Sequence, residues 1–377
     1  MLNKAGIGVC ILVFVSACAG PEGEDSSTVA ESIQALHQSD SWRTPPAVRS
    51  ALQRASSRLC DLQADSFGDH AHNGVVDTDP ADGGWDWMLT PGATAHSVNP
   101  SEENLYGAVG LAPWAALRAG VERPRYHAAL VDVMWGTKQN VAVDSAPDIV
   151  LAVLLGKLHH RHQYGALARE RYDARVAAAG GAYELGAGVR DARHAGGADG
   201  LIAYDLGWFA LGAMFLHQAF PRAGYAADAK QYVSLVVDDI NAVDPSFDYR
   251  HNREAFYVQG LAWSTLLASW SNSSTELFDA LRERLLSLQL PNGGWPYNAD
   301  YPEAHLQATA HTLMALGLLS HRDAAPRSVL HAAAQWLMSQ QAANGGWAYT
   351  AEQEYPILDA EIALSLYVAE SAQALGG

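Results

Sequence analysis

Leu288-Gln289-Leu290-Pro291-Asn292-Gly293-Gly294-Trp295-Pro296-Tyr297 returns 52 residues later as Gln340-Gln341-Ala342-Ala343-Asn344-Gly345-Gly346-Trp347-Ala348-Tyr349. Each copy follows one helix-like segment and precedes another. A long fixed period of this kind marks an architecture in which each unit buries its apolar face only against its neighbours. The glycines suit a sharp reversal at positive φ, and the tryptophan supplies a large apolar plug. A related stretch, Asp82-Gly83-Gly84-Trp85-Asp86-Trp87, stands far upstream.

Working outward from these connectors, the helical segments sort into two alternating sets. One set is charged on one side: 46–63, 124–137, 164–179, 226–240, 275–289 and 326–340. The other is apolar nearly all round: 104–119, 148–160, 205–219, 255–269, 307–319 and 360–372. A helix apolar on every side has to be buried, and a one-sided helix faces water. Six of each in strict alternation predict an all-α (α/α)6 toroid, six inner helices ringed by six outer ones. Each GGW connector follows an outer helix and precedes an inner one. All inner N-termini then open on one face, around a central funnel where unpaired N–H groups favour anions or polar oxygens.

The 377 residues are 49% hydrophobic and only 17% charged, which is ample for a core. A net charge of −17 disfavours nucleic acid and anionic membrane surfaces as partners. Residues 1–17 read as an export signal, with Lys4 before the apolar run Ala5–Val15. Residues 18–40 are small and polar, a tether, and 41–377 read as one toroid domain, expected to be a monomer. Of three cysteines, Cys10 lies in the signal and Cys18 at the start of the tether, so Cys60 stands alone in the domain with no partner for a structural disulfide.

Val15-Ser16-Ala17-Cys18 resembles the lipobox of bacterial lipoproteins. That resemblance implies lipidation of Cys18, a membrane contact through the lipid anchor only, and, with Ala19 next, placement in the outer membrane of the cell envelope. The alternative is an ordinary secretory signal cut near Ala17 or Ala19. The GGW connectors and the helix Ala308-Thr309-Ala310-His311-Thr312-Leu313-Met314-Ala315-Leu316 resemble repeats of the terpenoid-cyclase and protein-prenyltransferase superfamily. Polysaccharide lyases and complement-type thioester domains share that toroid, so the resemblance implies the fold and leaves the chemistry open. The cyclase Asp-x-Asp-Asp motif is absent, Val237-Asp238-Asp239 being the nearest acidic pair. An Asp-Asp-x-x-Asp diphosphate motif and a prenyltransferase zinc set are missing as well.

Polar residues gather where inner helices begin. Arg250, His251, Asn252 and Tyr257 supply a cation, a base, an amide and a phenol, the groups that β-elimination from a uronic acid requires. Asn252 as a helix N-cap is the plainer alternative. Arg253, Tyr204, Asp205, Trp87, His305 and His311 are candidates for substrate contact, with Glu361 near the same mouth; Asp205 also suits an N-cap. Asp77, Asp79 and Asp82 have a spacing compatible with calcium but no closing bidentate glutamate. The expected function is an extracytoplasmic carbohydrate-active enzyme of the lyase type acting on a polysaccharide. An isoprenoid or lipid-handling protein and a non-catalytic binding module are the alternatives.

Overall fold

A computed structural model describes residues 44–62, 88, 91, 115, 162–221, 223–243, 253–271, 275–319 and 324–375. Within them run α1 (Pro46–Leu62), α2 (His162–Ala179), α3 (Ala182–Gly196), a 3-10 turn (Asp199–Leu201) and α4 (Ile202–Ala219). They are followed by α5 (Ala223–Val243), α6 (Tyr257–Trp270), α7 (Thr275–Ser287), α8 (Leu306–Leu318), α9 (Arg327–Ser339) and α10 (Pro356–Leu375). The expected helices at 124–137 and 148–160 and the upstream Trp85–Trp87 connector lie outside the described residues, as does the helix at 104–119 except for Ala115, which is helical and buried.

The two kinds of helix separate as the residue pattern requires. Every residue of α6 is buried, and so is α8 from Ala308 to Leu318. On α7 only Leu277, Phe278, Leu281 and Leu285 are buried, and on α9 only Leu330, Ala333, Ala334 and Leu337. Their three- and four-residue spacing is a single stripe. α4 packs on α6, α6 on α8 and α8 on α10, which forms the inner layer. The fold is the α/α toroid. One helix went unforeseen: α3, whose glycine-rich sequence reads as a connector. Gly186 is buried there because a Cβ would run into Leu235 and Tyr232 of α5.

Both GGW connectors are the same machine part. Gly293 and Gly345 have φ of 94° and 98°, and a Cβ on either would collide with a carbonyl oxygen of the next outer helix, Ala332 or Arg54. Trp295 and Trp347 are fully buried, and their indole N–H groups close the preceding helices by donating to Leu285 O (2.8 Å) and Leu337 O (2.7 Å). Gln289 Nε2 donates to Gly293 O and to Val329 O of α9. Gln341 Nε2 donates to Gly345 O and to Ala51 O of α1. Each glutamine thus ties its turn to the next outer helix. At the second hinge that helix is α1, so this contact closes the ring.

The two hinges differ in what fills them. At the first, the Trp295 N–H meets Thr309 Oγ1 at 2.8 Å, with Ala304 and Trp336 packed around Gly294. At the second, the Trp347 N–H meets Asp359 Oδ1 at 2.7 Å, and Glu354 replaces the alanine. Arg58 of α1 grips Glu354 through Nε–Oε1 (2.7 Å) and Nη2–Oε2 (2.9 Å), with side chains only 4% and 1% exposed.

Burial, and then the charge of Glu354, push the Asp359 carboxyl well above the ordinary carboxylate range. A raised folded-state pKa means that its contribution to stability is complete below the unfolded pKa and is lost as pH rises through the folded one. Asp359→Asn keeps the acceptor for Trp347 and removes the titration. It is expected to raise the urea midpoint near pH 8 and to shrink the difference between about pH 5 and pH 8. An unchanged pH dependence in the variant would show that Asp359 is not the titrating group.

Candidate functional site

The axis of the ring collects polar and aromatic side chains from the starts of all four described inner helices. Tyr204 and Trp208 of α4, Gln307 and His311 of α8, and Gln259 and Trp263 of α6 are each four apart and so share a face. Glu361 comes from α10. On α6 the direction is fixed independently. The fully buried Tyr257 accepts a hydrogen bond from Arg284 Nε of outer helix α7 (3.3 Å), and Trp263 lies about 240° further round, away from that layer.

Glu361 is the hub of this cluster. Its Oε1 accepts from the Tyr204 hydroxyl (3.1 Å) and its Oε2 from Gln307 Nε2 (3.4 Å). His311 Nε2 stands 3.2 Å from Oε2, an ion-pair distance when the ring is protonated, without the alignment of a hydrogen bond. The Trp263 indole N–H donates to His311 Nδ1 (3.1 Å). That assigns the proton of the neutral ring to Nε2, on the side facing Glu361. Tyr204 meets His311 edge-on at 5.2 Å between ring centres and Trp263 at 5.7 Å. Burial, and then the charges of Glu361 and Asp205, push the Tyr204 phenol well above its ordinary value. Tyr204 therefore keeps its proton and acts as a donor. His311 and Glu361 are 0% and 6% exposed, whereas Tyr204 and Gln307 are half-buried, so the cluster is reached from the Tyr204–Gln307 side.

Above the cluster, the connectors carry a second group of rings. Phe256 packs on Tyr297 at 5.5 Å, Tyr297 on His305 at 4.8 Å, His305 on Tyr349 at 5.2 Å and Tyr349 on Tyr355 at 5.4 Å. His305 caps α8: its Nδ1 accepts from Ala308 N at 3.4 Å, and its Nε2 lies 3.2 Å from the Tyr349 hydroxyl. Burial pushes the His305 ring down to about 4, so it is neutral near pH 7.

The candidates drawn from sequence divide accordingly. Tyr204 and His311 meet at Glu361, and His305 joins the outer rings. Tyr257, expected to be catalytic, is packed against the outer layer, held by Arg284. Arg253 has a side chain 74% exposed and pairs at the surface with Asp300 (3.5 Å). Asp205 is not an N-cap: α4 starts at Ile202 after Leu201, and Asp205 instead takes Arg193 Nε at 2.6 Å. Arg250, His251, Asn252, Trp87, Asp77, Asp79, Asp82 and Cys18 lie outside the described residues. Sequence reasoning missed Trp263, Gln307 and Gln259; their four-residue spacing at inner-helix starts was the available signal. Among the described residues no group of three His, Cys, Asp or Glu is placed to hold a metal. An open depression of about 590 Å³ at the first hinge, lined by Leu290, Glu303, Trp336 and neighbours, shares no residue with the cluster.

No protein-family profile matches the chain, and no curated protein sequence does. Solved structures do. A possible member of the GH105 family from Salmonella enterica aligns at 12% identity over 87% of this chain and 94% of its own, with a TM-score of 0.56. A polysaccharide lyase aligns at 12% identity over 72% and 91%, with a TM-score of 0.50. A type II terpene cyclase from Scytonema aligns at 13% identity over 86% and 98%, with a TM-score of 0.49. At these identities what the first two share with this chain is the toroid.

Proposed function

We propose that this protein is a carbohydrate-active enzyme that cleaves a polysaccharide by β-elimination at the axis of the toroid. The observation that carries the reading is the convergence of Glu361, His311, Gln307 and Tyr204 from three separate inner helices. In β-elimination a base removes the proton α to a uronate carboxyl group. A C=C bond forms at the sugar ring, and the bond to the leaving oxygen breaks as that oxygen takes up a proton. In this reading Glu361 is the base, oriented by His311 and Gln307. Tyr204, which retains its proton until then, donates it to the leaving oxygen. The substrate carboxylate needs a cation or amide, a role we assign to Arg250 and Asn252 beside His251. Two fold relatives, the polysaccharide lyase and the GH105 candidate, make the toroid a plausible scaffold for such work.

Incubating the purified protein with a panel of uronate polysaccharides and following the absorbance of the unsaturated product tests this directly. Absorbance is expected to rise on at least one; silence on every uronate, with and without calcium, removes β-elimination. A second reading, a glycan-binding module without turnover, is favoured by one observation, the near-complete burial of His311 and Glu361. Binding without product would establish it. We also propose that Cys18 carries a lipid that holds the domain at the outer membrane. Metabolic palmitate label is expected to be lost in Cys18→Ala, and label persisting in that variant would exclude the anchor.

A further inference from the structure

The rings above the axial cluster form one connected surface, contributed by three successive connectors. Along the path Phe256, Tyr297, His305, Tyr349, Tyr355 no ring centre is more than 5.5 Å from the next, and Tyr301 branches from Tyr297 at 6.2 Å. Tyr301 is 66% exposed and Tyr349 37%, two of the three large exposed hydrophobic side chains among the described residues. Packing alone does not require a tyrosine to face water.

The backbone beneath this surface is held in place at some cost. Phe256 has φ of 62°, the left-handed region, and it is the sole non-glycine residue to do so among the described residues. A bulky side chain in that region is a genuine outlier, of the kind that persists where surrounding structure over-determines it. Here the buried Asn298 does so, its Nδ2 donating to the carbonyls of Arg253 and Glu254 at 3.0 Å each. The same side chain's Oδ1 accepts from the amides of Asp300 and Tyr301, at 3.0 and 3.1 Å. One amide therefore fixes both the Phe256 and the Tyr301 ends.

Charge narrows what this surface accepts. The connectors that carry it also bear the exposed Asp300, Glu303 and Glu352, and Arg253 is paired with Asp300. Tyr297 and Tyr349 are pushed above the ordinary phenol value, each chiefly by burial, and His305 is neutral near pH 7. The surface is therefore aromatic, rich in hydroxyls and, among the described residues, acidic at its edge. A polymer with a carboxylate on every ring meets repulsion there. Pyranose rings that present C–H faces to tyrosine and hydroxyls to Tyr349 and His305 do not.

We infer that the Phe256–Tyr297–Tyr301–His305–Tyr349–Tyr355 surface is a binding site for uncharged pyranose residues of a glycan chain. The inference deepens the functional reading above and rests on it for the class of ligand. The substrate becomes a mixed chain, with neutral sugars held at the mouth and a uronate only at the axis. His305 at the surface and Gln307 in the cluster are two residues apart at the start of α8, which joins the two sites.

The test is affinity electrophoresis of the full-length protein through gels containing galactomannan, hydroxyethylcellulose or polygalacturonate. The Glu361→Gln variant is run in parallel, so that turnover cannot mask retention. Retardation is expected on a neutral polymer and not on polygalacturonate. Tyr301→Ala with Tyr349→Ala is expected to weaken it at least tenfold while leaving the melting temperature within a few degrees, since Tyr301 is exposed and Tyr349 partly so. Equal retardation of the double variant overturns the site, and so does no retardation of the wild type on any neutral polymer. Stronger retention on polygalacturonate overturns the ligand class. The catalytic reading is judged separately by product formation, so either can fail alone.

Discussion

Arg58→Ala is expected to lower the stability of the folded protein by about 3–5 kcal/mol, since it leaves a buried carboxylate without its partner. Burial sets the size of the effect: at 4% and 1% exposure neither Arg58 nor Glu354 has water to fall back on, unlike the surface pair Arg253–Asp300. Beside Glu354 sits Asp359, whose carboxyl resists ionisation for the same reason, so loss of the guanidinium leaves two acids facing each other. The other hinge supplies a remedy already compatible with this fold. Trp336, Ala304 and Thr309 take the corresponding places there without any charge. Arg58→Trp combined with Glu354→Ala and Asp359→Thr is therefore expected to recover most of the loss. Replacing a buried ion pair by well-packed apolar groups is often neutral or stabilising. Urea unfolding followed by circular dichroism measures both. A single Arg58→Ala variant within about 0.5 kcal/mol of wild type would mean that the buried pair adds nothing to ring closure.

The second large effect is on activity. Glu361→Gln is expected to reduce kcat on any turned-over uronate by about 10²–10⁴-fold, the span usual for a positioned acid–base group. Gln retains an oxygen for the Tyr204 hydroxyl and nearly the same volume, so the melting temperature is expected to hold while turnover falls. Tyr204→Phe removes the proton donor and keeps the edge-on contacts with His311 and Trp263, giving a smaller fall in kcat with KM little changed. If Glu361→Gln turned over like wild type, the axial cluster would be a packing network, and catalysis would have to lie elsewhere.

The fold was legible because its signals are local. The Gln289–Gly293 and Trp295–Leu285 bonds span four and ten residues, and the Gln341–Gly345 and Trp347–Leu337 bonds of the repeat span the same. Full burial of α6 and the single stripe on α7 followed from residue spacing alone. α3 escaped because a glycine chosen for close approach to α5 looks, in sequence, like a glycine chosen for a turn. The site was half legible. Tyr204, His311 and Glu361 stood out as polar residues at inner-helix starts, but their meeting depends on three helices up to 157 residues apart in the chain. Tyr257 belonged to the same residue types and turned the other way, by two positions on a helix, towards Arg284. The Arg58 grip was not legible at all, because an arginine on the charged side of an outer helix has no reason to be read as buried.

Ring closure also dictates an order of assembly. The Trp295 indole closes a loop of ten residues onto Leu285, an entropic cost of about 2 kcal/mol for a flexible chain. Arg58 and Glu354 are 296 residues apart, and closing that span in one step costs on the order of 5 kcal/mol before any contact repays it. Helix–hinge–helix units are therefore expected to form early and separately, while the contact of α1 with α10 waits until α10 is in place. Until then residues 46–62 can meet the second hinge of another molecule, a route to misassembly.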